Sequence, residues 1–174
     1  MKKWYIVGAV VLIIGVYAAV SLFRRREISS SIAISAKPEE VWRVLRDRGN
    51  YSNWNSFIIS STGELKEGET IQNKMSLSGK GTMNFSPVVL KVDDNRELRW
   101  LGSMGVRGIF DGEHVFLLHP RDDGTTLLEQ KEYFSGVLVP MLLPFIKSDT
   151  QQSFERMNNE LRHEVEKSPS KVVE

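Results

Sequence analysis

Residues 28–55 read ISSSIAISAKPEEVWRVLRDRGNYSNWN, and the change of period inside this stretch decides the fold. Ile28, Ser30, Ile32 and Ile34 alternate with Ser29, Ser31, Ala33 and Ser35, the pattern of a strand with one buried face. At Lys37-Pro38-Glu39-Glu40 the period becomes helical. Proline is pre-organised for a first helical turn, and two glutamates suit the positive end of a helix. Val41, Trp42, Val44 and Leu45 supply the apolar face, Gly49-Asn50 ends it, and Tyr51-Ser52-Asn53-Trp54-Asn55 follows as a short second helix or turn.

Downstream, alternation returns and predicts six strands, at about 58–64, 68–77, 80–92, 96–103, 107–118 and 125–134. Lys66-Glu67-Gly68, Ser78-Gly79, Asp93-Asp94-Asn95, Gly105 and Asp122-Asp123-Gly124 mark the turns between them. Pro87 argues for a bulge or an edge in the third. The connections are too short for parallel crossovers, so the sheet is expected to be an antiparallel meander. From Val137 the period is helical again: Leu138, Met141, Leu142 and Phe145 lead into Phe154, Met157, Leu161 and Val165 as one stripe. Pro140 and Pro144 are expected to break or kink its first turns. The expectation is an α+β domain, with a curved antiparallel sheet of about seven strands wrapped on a long C-terminal helix and two short helices after the first strand.

Upstream lies a different kind of segment. Trp4 to Phe23 is a run of 20 residues without a charge. As a helix it spans roughly 30 Å, the thickness of a hydrocarbon core. Trp4 and Tyr5 suit one interface, and Arg24, Arg25 and Arg26 close the other. The run is longer than a signal-peptide core, and Val16-Tyr17-Ala18 is an imperfect cleavage site. It is apolar all round, unlike a core helix of a soluble protein. An uncleaved single-pass anchor is therefore expected at 1–27, a domain at 28–167 and a frayed polar tail at 168–174. Arg24, Arg25, Arg26, Lys37 and Arg43 outnumber Lys2 and Lys3, which favours a cytoplasmic domain, although short lysine-bearing N-termini often stay inside instead.

Charge and composition narrow the function. The first 27 residues hold five of the chain's 23 basic residues and one of its 22 acidic ones, so the remainder is net acidic by three. Such a domain is a poor partner for a phosphate backbone, and no nucleic acid is expected. There is no cysteine, hence no disulfide, thiolate metal site or cysteine nucleophile. Neither a zinc or calcium spacing nor a phosphate loop nor a nucleophile elbow is present, so no metal or cofactor is expected. Nothing in the sequence specifies an oligomeric state.

The order of elements, together with Ala36-Lys37-Pro38-Glu39-Glu40-Val41-Trp42, Tyr51-Ser52-Asn53-Trp54-Asn55, Glu97-Leu98-Arg99-Trp100, Phe110-Asp111-Gly112-Glu113-His114, Glu132-Tyr133-Phe134-Ser135-Gly136 and the helix from Thr150 to Leu161, resembles the START-like, polyketide-cyclase-like (SRPBCC) superfamily. The resemblance covers about 28–166. It implies the helix-grip fold and a cavity between sheet and long helix that takes a hydrophobic small molecule or lipid. Members include carriers, receptors and cyclases, so fold alone does not choose among them.

Within that cavity the strand pattern nominates the polar residues. If Leu118 faces Thr126 across the Asp122-Asp123-Gly124 turn, then His114 faces Gln130 and Glu132 is its diagonal neighbour. Phe110, Gly112, His114, Phe116 and Leu118 share one face, and Leu128, Gln130, Glu132 and Phe134 share the matching one. His114 and Glu132 are read as a satisfied polar pair, as ligand contacts, or as an acid–base pair of a cyclase- or hydrolase-like enzyme. Trp54, Met83, Phe85, Trp100, Phe110, Phe116, Phe134, Met141, Phe154 and Met157 are the apolar candidates for the lining, with Gln130 beside the pair. A membrane-tethered interaction module with a filled core is the third reading.

Overall fold

The computed structural model describes residues 2–77 and 81–167. The expected Ser78-Gly79 turn and the tail from Ser168 lie outside the described residues. A long helix, α1 (Lys2–Phe23), leads into β1 (Arg26–Ile34), α2 (Pro38–Arg46), one turn of 3-10 helix (Arg48–Asn50) and α3 (Tyr51–Trp54). Then come β2 (Ile58–Thr62), β3 (Gln72–Ser76), β4 (Thr82–Phe85), β5 (Val88–Asp93), β6 (Glu97–Ser103), β7 (Asp111–Pro120), β8 (Thr126–Ser135) and α4 (Val139–Lys167).

Every strand pair is antiparallel, as the short connections require. Two sheets form, ordered β1-β8-β7-β6-β5 and β2-β3-β4, and a bridge from Thr70 to Val88 ties the segment before β3 to β5. The expected strand 80–92 is thus two strands in two sheets. Pro87 is the cause: it has no N–H to give a ladder, and its carbonyl instead accepts from Ile71 N–H at 3.0 Å where the chain turns from one sheet to the other. β1 also starts two residues earlier than its apolar pattern shows, with Arg26 opposite Phe134. Only Arg24 and Arg25 therefore separate α1 from the sheet.

α2 begins as its sequence predicts. Pro38 sits in the first turn, and the Glu40 carboxylate reaches back to accept from Lys37 N–H at 3.0 Å. The buried Arg48 guanidinium donates to Ser61 Oγ at 2.9 Å and to the Gly63 carbonyl, fastening the 3-10 turn to β2. Tyr51 is fully buried and donates to the Leu45 carbonyl at 2.7 Å; burial pushes its phenol well above the ordinary range. α4 runs on through Pro144, where the missing N–H forfeits one helical bond, while Pro140 lies in the first turn, where no intrahelical donor is needed. The core lies between the five-stranded sheet and α4, with Phe116, Leu128, Phe154, Met157 and Leu161 almost fully buried.

α1 stands apart from this core: of its described side chains only Ser21 is buried. Its last turns nevertheless dock. Tyr17 Oη donates to the Val137 carbonyl at 3.0 Å, Gly136 N–H donates to the Ser21 carbonyl at 3.3 Å, and Leu22 lies against Gly108.

The outer sheet face carries a chain of charges. Lys91 pairs with Glu97 at 2.7 Å, Glu97 with Arg99, Arg99 with Glu113, and Glu113 with Arg25, whose guanidinium also lies over the Tyr133 ring at 4.8 Å. Burial alone would raise the Glu97 carboxyl, but hydrogen bonds from Lys91 and Arg99 outweigh it and hold it below the ordinary 4.5. Glu129 is likewise held low by Lys131 and His119 against the effect of burial. A carboxylate with a depressed folded pKa adds stability that is complete above its unfolded value and is lost as pH falls through the folded one. Thermal melts between about pH 3 and pH 6 should therefore show stability falling below pH 4.5, with Glu97→Gln flattening that acid limb and changing little beneath it.

Candidate functional site

A cavity of about 530 Å³ opens between the inner sheet face, the small sheet and α4. Two glycines set its shape. Gly102 and Gly112 pair directly across β6 and β7, so the inner face has two adjacent positions with no side chain. The Phe85 ring, arriving from the small sheet, rests on Gly102, where a Cβ would stand 1.7 Å from Phe85 Cζ. The Glu132 carboxylate lies over Gly112, with Oε1 2.3 Å from the corresponding Cβ position. Any larger residue at either position would displace a group that lines the cavity.

His114 stands beside that carboxylate. Its Nδ1 is 2.7 Å from Glu132 Oε2, and its Nε2 is 3.1 Å from Gln130 Nε2. Gln130 Nε2 also donates to Met157 Sδ at 3.4 Å. With Gln130 donating to Nε2, the ring proton belongs on Nδ1, where it is given to Glu132. Trp100 stacks on the imidazole at 4.9 Å and 7°, and Phe154 meets it edge-on at 5.1 Å. Both ring nitrogens are thus engaged within the protein. Glu132 Oε1 accepts no hydrogen bond from the described residues.

The pairing is closer than the sequence reading expects. His114 lies opposite Glu132, Phe116 opposite Gln130 and Leu118 opposite Leu128, a register shifted by two residues. β7 continues to Pro120 and the connecting loop is correspondingly short. Because the shift is even, every side chain keeps its face. The histidine and the carboxylate become direct partners instead of diagonal neighbours.

Of the nominated residues, Met83, Phe85, Trp100, Phe110, His114, Glu132, Phe134 and Phe154 line the cavity. Five nominated residues do not. Trp54 is buried edge-on against Tyr51 in α3, and Phe116 is sealed in the core beneath Trp100. Met157 and Gln130 lie behind His114. Met141 sits on the outer side of α4 and is 55% exposed. The sequence reading misses Asn73, Ser76, Asn84, Ser103, Asp149, Thr150 and Ser153, polar residues of the wall. Their local patterns match any half-buried strand or helix position. Only the approach of the small sheet and α4 makes them lining.

An antiparallel sheet closed on a long C-terminal helix, with a cavity between, is the helix-grip architecture of the START-like, SRPBCC superfamily. The chain belongs to the family described as polyketide cyclase / dehydrase and lipid transport, which matches residues 25–166. No curated protein matches it. Among solved structures it is similar to the Zhui aromatase/cyclase from Streptomyces sp. R1128, with a TM-score of 0.68 and 13% identity over 83% of this chain and 96% of that one. It is similar to a START superfamily protein from Mycobacterium smegmatis, with a TM-score of 0.66 and 19% identity over 82% of this chain and 99% of that one. Norcoclaurine synthase from Thalictrum flavum, in complex with dopamine and hydroxybenzaldehyde, gives a TM-score of 0.65 and 12% identity over 85% of this chain and 90% of that one. At these identities the likeness is one of fold.

Proposed function

We propose that the protein is a membrane-anchored binding protein, with α1 as an uncleaved single-pass anchor and residues 28–167 as the domain that holds an amphipathic lipid or other apolar small molecule. The observation that carries this reading is the cavity itself: a largely apolar space in which Glu132 Oε1 accepts no hydrogen bond from the described residues. Such a space takes a ligand with an apolar body and a hydrogen-bond donor, a hydroxyl or an amide, aimed at Glu132 Oε1. Trp100, Phe134 and Phe154 would cover the body, and His114 holds the carboxylate in place from its other side.

The engaged nitrogens of His114 weigh against the enzyme reading, because a general base needs a nitrogen within reach of substrate. The exposed, almost wholly apolar α1 supports the anchor, since 21 of its residues, Lys3–Phe23, form a stretch long and apolar enough to cross a membrane. Its docking through Tyr17 and Ser21 supports the uncleaved reading. The cluster Arg24, Arg25 and Arg26 would then end the span, with Arg25 committed to Glu113 and Tyr133.

The test is extraction of small molecules from the full chain purified in detergent, compared with Glu132→Leu. A cavity passenger should be near stoichiometric in the parent. It should fall at least about tenfold in the variant, the loss of one hydrogen bond to a charged group. A molecule retained equally by both is annular lipid, and that result would defeat the assignment.

A further inference from the structure

We propose that the rim of the cavity is seated in the bilayer that α1 crosses, so that the cavity opens to the lipid phase rather than to water. This rests on the anchored reading above.

Strand register gathers the parts at one edge of the domain. Ser103 is opposite Asp111, Asp111 is opposite Ser135, and Arg26 is opposite Phe134. The exit of α1, the loop from β6 to β7 and the entry to α4 therefore share one end of the sheet. The bonds from Tyr17 to Val137 and from Gly136 to Ser21 then fix their height. Tyr17 precedes the end of α1 by six residues, about 9 Å of helical rise. Val137 thus stands beside the last two turns of α1, not beyond them. The 21-residue span Lys3–Phe23 is close to the length a hydrocarbon core needs, and lifting the last two turns clear would leave too few residues to cross it.

The side chains at this edge suit that depth. Residues 137–146, VLVPMLLPFI, and 103–106, SMGV, contain no charge. Phe145 is 77% exposed and Val106 67%. In water these would form an apolar patch adjoining the apolar surface of α1, an arrangement that marks an interaction face. An exposed cation follows each segment, Lys147 after the first and Arg107 after the second, and long stems of this kind let a charge reach phosphates from an apolar surface. Met104 and Ile146 belong both to this exposed edge and to the cavity wall. An acyl chain could therefore pass from the bilayer into the cavity without entering water.

The absence of cysteine makes the test direct. Single nitroxide labels go on Ile13→Cys, Val106→Cys, Phe145→Cys and Asp122→Cys of the full chain in phosphatidylcholine vesicles. Collision rates with oxygen and with a nickel chelate are then compared. Asp122 lies in the hairpin at the far end of the sheet and reports the aqueous value. The proposal expects labels 106 and 145 to show an oxygen-to-nickel ratio several-fold above label 122, below that of label 13. Labels 106 and 145 that match label 122 while label 13 is deep would overturn the rim and leave the anchor standing. A water-exposed label 13 would overturn the anchor and the rim together.

Discussion

Phe154→Ala should lower the unfolding free energy by about 3–5 kcal/mol, the usual cost of removing a buried phenyl group. Phe154 is only 1% exposed, and its ring meets Phe57 at 5.9 Å and the His114 imidazole at 5.1 Å. It therefore joins α4 to the sheet and to the segment after α3 at a single point. Alanine leaves a void continuous with the existing cavity, and the pleated sheet on the other side cannot collapse to fill it. Against a typical total of about 5–15 kcal/mol the loss is severe. Denaturant unfolding of the full chain in micelles measures it. A change under about 1 kcal/mol would mean that α4 does not pack as described. The enlarged cavity should also accept a bulkier passenger, recovering part of the loss when ligand is added.

Gly136→Ala should cost on the order of 3 kcal/mol through the backbone instead. Gly136 has φ of 128°, a conformation L residues rarely adopt, and an added Cβ would lie 2.5 Å from the Ile109 carbonyl oxygen and 2.7 Å from its carbon. Those atoms cannot rotate away. They belong to the loop that accepts from Val137 and Leu138 N–H, each at 3.0 Å, through the carbonyls of Gly108 and Ile109. Alanine should push that loop off the start of α4 and loosen the Gly136 bond to Ser21. Gly124→Ala is the control: φ is 79°, but nothing lies within 4 Å of the new Cβ, so about 1 kcal/mol is expected. Hydrogen exchange at Val137 and Leu138 should accelerate in the first variant and not in the second. Equal costs would show that φ alone, and not the contact with Ile109, sets the penalty.

Much of this architecture is legible in one sequence because local and global demands agree. The alternation of Ile28 to Ile34 survives as buried and exposed sides of β1, and Pro38 with Glu40 marks the start of α2. Faces were easier to read than register. Parity alone puts His114 and Glu132 on the inner surface, whereas their direct opposition depends on how far β7 runs before it turns, and the residues at 119–121 do not specify that. Pro87 declared a disturbance but not its kind: a bulge and a change of sheet both need a residue without a ladder donor. The cavity floor was half visible. Gly112 falls on the nominated face, but the role of Gly102 requires knowing that Phe85 arrives from another sheet.

The link of two residues, Arg24 and Arg25, bears on how far anything can be moved. Fully extended, it spans about 7 Å, less than the width of the domain it holds. A soluble carrier works by leaving one compartment for another. Under the anchored reading this domain cannot leave. Its traffic would be confined to one leaflet and to neighbours diffusing in the same plane, and its search for them would be two-dimensional. It would serve as a depot from which a partner collects, and the reach of any delivery would be set by that partner's mobility.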